Sequence, residues 1–343
     1  VRDAAATAMY REAAQGPAIV RAQLERNAAA VERFARELRA HPPRAVVTCA
    51  RGSSDHAATY AKYLVEVRLG ILTASAAPSI ASLYASGEAM RDCLFLALSQ
   101  SGRSPDLLAT TRAAKRAGAR VAVLVNDEGS PLASLADDVL PLCAGAERSI
   151  AATKSHIATL FGLLHLVGAW SDDRGLREAV SSCADTLDQS WQLDWSAALP
   201  VLATASHLFV IARGVGLGLA QEAALKCKET CALHAEAFSA AEVRHGPQAL
   251  LGPGFPAMLF AQEDEARPGI EELGAELAAR GVPVVAAGAR VAGAVELPTV
   301  ATHPALAPLA MAQSFYRLAN ALALQRGRDP DNPPHLRKVT ETR

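Results

Sequence analysis

Three hydroxyls, Ser99, Ser101 and Ser104, fall within six positions of the run LFLALSQSGRSPDLL, with Gln100 and Gly102 between them. Side chains of this kind donate and accept hydrogen bonds without carrying charge, so the loop suits a small phosphate ester better than a triphosphate with its magnesium. A plain turn with Ser104 as a helix cap accounts for the same residues, and both readings stand on the spacing alone. Further along, Glu222, Lys226 and Glu229 recur at spacings of four and three, on one face of a helix. Such a stripe is ordinarily solvated, but the Ala, Leu and Cys around it make the helix buryable, so the ionisable face is expected to look into a cleft. His245, in a His-Gly-Pro turn, reads as structural when taken alone.

The elements that position these groups follow from the flanks. Leu94–Leu98 is apolar on both faces, as in a strand buried on both sides. Pro105 suits the first helical position, Ser104 the N-cap and Asp106 the first turn. The helix is expected to run to about Ala117, where Gly118 ends it, and Val121–Val125 is the next strand. The unit is β-loop-α-β, and the helix start offers unpaired N–H groups at the carboxyl end of a strand. Around it, strands are expected at Ala45–Cys49, Ile71–Ala74 and Val139–Cys143, with helices over 55–67 and 150–170. Residues 5–40 carry helical patterning with a break near Gly16-Pro17. Strands alternating with helices imply a parallel sheet covered on both faces.

Composition narrows the partners. The 343 residues carry 34 basic and 35 acidic side chains, a formal net charge of −1, and half are hydrophobic. No basic field exists to hold nucleic acid or an anionic membrane, so neither is expected as a partner and any phosphate must be caught by local geometry. Neither Gly-x-x-x-x-Gly-Lys nor a Gly-x-Gly-x-x-Gly after a strand of the first half is present. No long uncharged apolar stretch and no signal-peptide pattern occur, and the expected location is the cytoplasm. Six scattered cysteines suit free thiols in a reducing compartment. Cys227 and Cys231 lack a matching second pair, so no metal is expected.

The second half repeats the first. VVTCARGSSDHAATYAKYLVE at 46–66 aligns with LFVIARGVGLGLAQEAALKCKE at 208–229, sharing Ala-Arg-Gly between a strand and a helix. Carrying the offset of about 162 residues forward sets Gln100 over Gln262, Ser101 over Glu263 and Gly102 over Asp264. Only the first copy keeps the hydroxyl loop, and the acids of the second would repel a phosphate.

SQSGRSPD, ARGSSDHAA, SIAATK at 149–154, ALKCKETCALHAEAFSAAEVRHGP and DNPPHLRKVT together closely resemble the sugar isomerase (SIS) domains. The likeness is to the isomerase half of glutamine–fructose-6-phosphate aminotransferase and to the SIS-type glucosamine-6-phosphate deaminases. It implies an α/β chain of two tandem SIS domains, each a doubly wound parallel sheet flanked by helices. The expected divisions are an N-terminal helical segment at 1–41, a sugar-phosphate-binding domain at 42–190, a catalytic domain at 195–326 and a C-terminal active-site tail at 327–343. In the family's terms the phosphate is bound by Ser99, Gln100, Ser101 and Ser104 with Gly52, Ser53 and Ser54. The proton-shuttling glutamate matches Glu229, the ring-opening histidine His245, the neighbouring lysine Lys226 and the C-tail lysine Lys338. Departures are Arg103-Ser104, where the synthase has Glu-Thr, and Ala152, where it has serine.

The chain opens at Val1 and enters SIS patterning within about 45 residues, without the synthase's glutaminase segment. The expectation is therefore release of ammonia: glucosamine 6-phosphate is converted to fructose 6-phosphate without metal or organic cofactor. His245 would open the ring, Glu229 would carry a proton from C2 to C1, and water would hydrolyse the imine. Burial would raise the Glu229 pKa, and Lys226 one turn away would lower it. The same machinery would serve a fructosamine-6-phosphate deglycase or a galactosamine-6-phosphate deaminase. A sugar-phosphate-sensing module is the reading from another class, opposed by the retention of Glu229, His245 and Lys338 without a basic helix-turn-helix segment. A homodimer is expected, because relatives take the histidine from the neighbouring subunit and the apolar helices at 150–170 and 305–325 suit an interface.

Overall fold

The structure, a computed structural model, describes residues 3–84 and 89–338. In chain order, α1 (Ala8–Ala13) and α2 (Gly16–Ala40) precede β1 (Ala45–Cys49), α3 (Ser53–Leu69), β2 (Thr73–Ser75), α4 (Pro78–Ser82), β3 (Cys93–Ser99), α5 (Pro105–Arg116), β4 (Arg120–Val125), α6 (Pro131–Leu135) and β5 (Asp138–Pro141). Helices α7 (Lys154–Ser171), α8 (Arg174–Gln192) and α9 (Leu199–Ala203) lead to the second series. It comprises β6 (His207–Ala212), α10 (Leu217–Cys231), β7 (His234–Ser239), α11 (Ala240–Val243), β8 (Ala257–Phe260), α12 (Arg267–Ala279), β9 (Val284–Ala287), β10 (Val295–Leu297) and α13 (Ala307–Gln325).

Both sheets are five-stranded, wholly parallel and wound alike, in the orders β2-β1-β3-β4-β5 and β10-β9-β8-β6-β7. In each, the chain turns one way after its first strand and the other way after its second, so the carboxyl ends of β1 and β3, and of β6 and β8, form crevices of the kind where open α/β sheets bind ligands. The offset of 162 residues in the sequence is thus a repeat of topology. Every residue of β3 is buried, as its unbroken apolar run requires, and Phe95, Val121, Val123 and Leu107 share one core under α5. The second sheet carries the equivalent core of Phe209, Leu259, Ile270, Leu273 and Val284.

The chain divides into two compact units, residues 18–147 with 155–181 and 337–343, and residues 1–17 with 148–154 and 182–336. The segment expected to stand apart at 1–41 is therefore shared. Its first part is fastened inside the second unit: Thr7 donates to Asn320 Oδ1 at 2.7 Å, and the Asp331 carboxylate accepts from the N–H groups of Ala8 and Met9, both at 2.8 Å. The expected tail at 327–343 is described as far as Lys338, and its remainder lies outside the described residues.

Three expectations need correction. Helix α7 begins at Lys154 instead of Ile150, because the residues before it run as an irregular loop whose N–H groups at Arg148 and Ser149 are taken by the Glu12 carboxylate at 2.5 and 3.0 Å. Strand β5 ends at Pro141, and Cys143 sits at φ +55° in the irregular segment that follows. The apolar helices read as interface material, α7 and α13, are already buried along almost their whole length, so their hydrophobicity is spent within the chain.

Candidate functional site

The first crevice is built by the loops after β1 and β3. Ser99 is the last residue of β3, and its Oγ accepts the Gly102 N–H at 2.9 Å, while Ser101 Oγ accepts from Arg103 N–H at 3.4 Å. Gly102 turns the chain with φ +65°; an added Cβ would lie 2.2 Å from Ser130 Oγ, so the close approach to α6 requires glycine here. Ser104 occupies the N-cap position with extended backbone, but its hydroxyl makes no capping bond, which leaves it outside the structural role the turn reading assigns. Gln100 and Ser104 are half-buried, as are Ser53 and Ser54 at the start of α3. Gly52 precedes that helix at φ +55°, and the Ser53 carbonyl accepts from His156 Nδ1 at 2.9 Å, fixing this second wall of the crevice.

The crevice is not the uncharged pocket its serines suggest. Arg51 places both Nε and Nη2 on Asp106 Oδ2, at 2.9 and 2.6 Å, and Arg103 pairs with Asp127 at 2.8 Å. Asp106, read from the sequence as a first-turn charge, is 1% exposed. Burial pushes the neighbouring Asp55 carboxyl up, against the pull of His56 and Arg51, and pushes the Cys49 thiol up to about 12.

The second crevice has the same outline and different contents. Gly214 adopts φ +65° at the position equivalent to Gly52. Gln262 Nε2 donates to the Arg213 carbonyl at 3.0 Å and to both Asp264 oxygens at 3.0 and 2.8 Å, so the amide nitrogen is taken up by the acid where the first copy has hydroxyls. Glu263 pairs with Arg267. A cavity of about 290 Å³ opens nearby among Gln262, Glu263, Arg267, Arg290, Glu296 and Thr299. It includes neither Glu229 nor His245, and its charges are of mixed sign; volume alone does not make it a reaction site.

Helix α10 carries the ionisable face. Lys226 Nζ lies 2.5 Å from Glu229 Oε2 and 3.6 Å from Glu222 Oε1, and Tyr316 donates to the same Glu222 oxygen at 3.1 Å. The side chains of Lys226 and Glu222 are 1% and 0% exposed, whereas that of Glu229 is 22% exposed. The stripe is therefore buried at two members and open at the third. A carboxylate held at a surface by a buried ammonium can take and return a proton at a fixed point.

His245 lies apart from it. Glu229 sits in the last turn of α10, at the amino edge of the second sheet, since α10 runs antiparallel to the strands. His245 is exposed in the turn after β7 and α11, beyond the carboxyl edge, its N–H bonded to the Glu242 carbonyl at 3.0 Å. β7 has 6 residues between them, which at about 3.3 Å each span roughly 20 Å. The two do not meet within one chain.

Lys338 Nζ lies 2.9 Å from Glu147 Oε2, and Glu147, with 0% of its side chain exposed, also accepts from Ser155 N–H at 3.1 Å and Ser155 Oγ at 2.7 Å. Lys154 is buried with its ammonium on Gln15 Oε1 at 2.8 Å. Arg51 and Glu147 are the residues missed in the sequence. Arg51 stands in the repeated Ala-Arg-Gly, which signalled a shared turn without signalling a charge; Glu147 lies two positions before SIAATK. Among the described residues no three His, Cys, Asp or Glu side chains converge as a metal set. No described helix is long and apolar enough to cross a membrane.

The SIS domain model matches residues 41–167 and 201–288, one span for each sheet, and the chain belongs to the SIS domain family. A glutamine–fructose-6-phosphate aminotransferase of Aeropyrum pernix is 34% identical over 84% of this chain and 49% of its own length. The chain spans about half the length of the curated relatives it matches. Among solved structures, a protein of Silicibacter pomeroyi assigned as a phosphosugar isomerase superposes with a TM-score of 0.91 at 41% identity, over 95% of this chain and 100% of its own. A glucosamine-6-phosphate deaminase of Thermotoga maritima shares the fold, with a TM-score of 0.76 at 22% identity over 98% of this chain and 100% of its own.

Proposed function

We propose that this chain is a glucosamine-6-phosphate deaminase of the SIS type, releasing fructose 6-phosphate and ammonia. The observation that carries the reading is the Glu222–Lys226–Glu229 set, in which a buried ammonium steadies one partly open carboxylate. The first crevice holds the phosphate through Ser99, Gln100, Ser101 and Ser104, with Gly52, Ser53 and Ser54 on the facing wall. His245 moves a proton from the C1 hydroxyl to the ring oxygen, opening the sugar to the aldehyde. Glu229 removes the proton from C2 and returns it to C1 while one N–H proton of the C2 amine passes to the C1 oxygen, which leaves a C1 hydroxyl and a C2 imine of the ketose. Water adds to that imine, and ammonia leaves. Lys338, whose Nζ lies 2.9 Å from Glu147 Oε2, supplies the C-terminal lysine of the site. Release of ammonia in preference to its capture is supported by Arg103-Ser104 in the serine loop, where the synthase motif has Glu-Thr.

The separation of Glu229 and His245 within one chain supports a homodimer in which the partner contributes His245. The enzyme works without a metal or organic cofactor, since each step is a proton transfer or hydrolysis that these side chains can carry. Ammonia release across glucosamine 6-phosphate, galactosamine 6-phosphate and fructosamine 6-phosphate tests the reading. The expected result is turnover of the gluco compound above the other two; turnover confined to fructosamine 6-phosphate would make the chain a deglycase, and sugar-phosphate binding with no turnover would make it a sensor.

A further inference from the structure

We propose that Arg51 is a phosphate ligand of the first crevice, presented by the buried carboxylate of Asp106; this rests on the reading of the serine loop as a phosphate site. A guanidinium is a planar fork with two usable edges. One edge of Arg51, Nε and Nη2, is fixed on Asp106 Oδ2 at 2.9 and 2.6 Å. The opposite edge, Nη1 with the second Nη2 hydrogen, makes no bond among the described residues, and the side chain is 52% exposed while that of Asp106 is 1% exposed.

The surroundings say which way the free edge serves. Arg51 lies two residues beyond the end of β1, Asp106 lies in the first turn of the helix that follows β3, and β1 and β3 are hydrogen-bonded neighbours. The ion pair therefore bridges the two loops that carry Ser53, Ser54, Ser99 and Ser101. A buried Asp at the start of α5 would by itself oppose an anion there; paired with Arg51 it becomes the anchor of a cation. A dianion reaching the serine hydroxyls would find the outward edge with two parallel N–H donors, the geometry that favours bidentate contact with phosphate.

The second crevice serves as an internal control. Arg213 occupies the same place in the repeated Ala-Arg-Gly, but the residue at the offset of Asp106 is Pro268, and the loop beside it carries Glu263 and Asp264. The arginine is retained in both copies, and the buried anchor only where the hydroxyls are.

Calorimetric titration with glucose 6-phosphate tests this. Arg51→Gln should weaken binding by about tenfold or more, the range for one lost charge-assisted contact, while binding of unphosphorylated glucose stays as in the parent protein. Arg51→Gln alone also removes the cation from the buried Asp106 carboxylate, so the deciding variant is Arg51→Gln with Asp106→Asn. If Arg51 holds phosphate, the double variant regains thermal stability but not affinity. Wild-type affinity in the double variant would overturn the proposal, since Arg51 would then serve only to neutralise Asp106. Ser99→Ala with Ser101→Ala tests the parent reading separately: unchanged affinity there, with loss on Arg51→Gln, would remove the serines from the site and leave Arg51 in it.

Discussion

The two crevices share winding, the Ala-Arg-Gly turn and a glycine at positive φ, yet they are furnished in opposite ways. In the first, Ser99 and Ser101 bond, among the described residues, only to nearby backbone N–H groups, so their own hydroxyl protons remain to be offered, and Arg51 is anchored with one edge outward. In the second, Gln262 is spent on Asp264 and the Arg213 carbonyl, and Glu263 on Arg267. The difference teaches that a duplicated fold preserves the place for a ligand but not its chemistry. The second copy is instead distinguished at the other edge of its sheet, where α10 presents Glu229.

Breaking the buried set on α10 should have the largest effect. Lys226→Met removes the cation between Glu222 and Glu229 and leaves a fully buried carboxylate without it, a change expected to cost about 3–5 kcal/mol. Chemical denaturation reads this directly, and Lys226→Met combined with Glu222→Gln should recover much of it. Recovery would sharpen the contrast with the second crevice, whose acids are exposed or already bonded.

In the first crevice, replacing Ser99 and Ser101 together by Ala should raise KM steeply, since each hydrogen bond to a charged group is worth roughly 1.5–3 kcal/mol. Replacing Glu263 and Asp264 in the second crevice should leave KM where it was. Equal effects at both crevices would break the comparison.

The smallest effect concerns acid stability of the first unit. His165 lies on α7 against Phe161, facing Glu32 and Arg177, and burial lowers its pKa from 6.5 to about 4. Its neutral form is favoured in the folded chain, so the unfolded chain binds the extra proton between those values. Stability from this group is present above about pH 6.5 and is lost as pH falls toward 4, by at most about 3.4 kcal/mol at about 1.36 per pH unit. His165→Phe should flatten that part of the pH–stability curve; an unchanged slope would show that other groups dominate it.

The sheets and the serine loop were legible because their signals are local: an unbroken apolar run, a proline at a helix start, a glycine at its end. The repeat was legible because both copies kept Ala-Arg-Gly. What escaped depends on partners distant in sequence. Arg51 and Asp106 are 55 positions apart and Glu147 and Lys338 are 191 apart, so neither pair leaves a spacing to read. The hydrophobicity of α7 and α13 is the same whether spent in a core or at an interface, and only the burial pattern distinguishes the two. The spacing of Glu222, Lys226 and Glu229 gave the shared face, whereas the unequal exposure that singles out Glu229 needed the packing of Tyr316 against Glu222.

The central claim, that the second unit moves the C2 proton through Glu229 while the first holds the phosphate, is tested most directly by exchange of the substrate C2 hydrogen in deuterated water. Glu229→Gln keeps the size and hydrogen bonding of the side chain and removes the base, an effect typically of about 10²–10⁴ in rate. The variant is predicted to bind glucosamine 6-phosphate with near-normal affinity and to lose C2 exchange by that factor. Exchange at the wild-type rate in Glu229→Gln would contradict the assignment and move the base elsewhere.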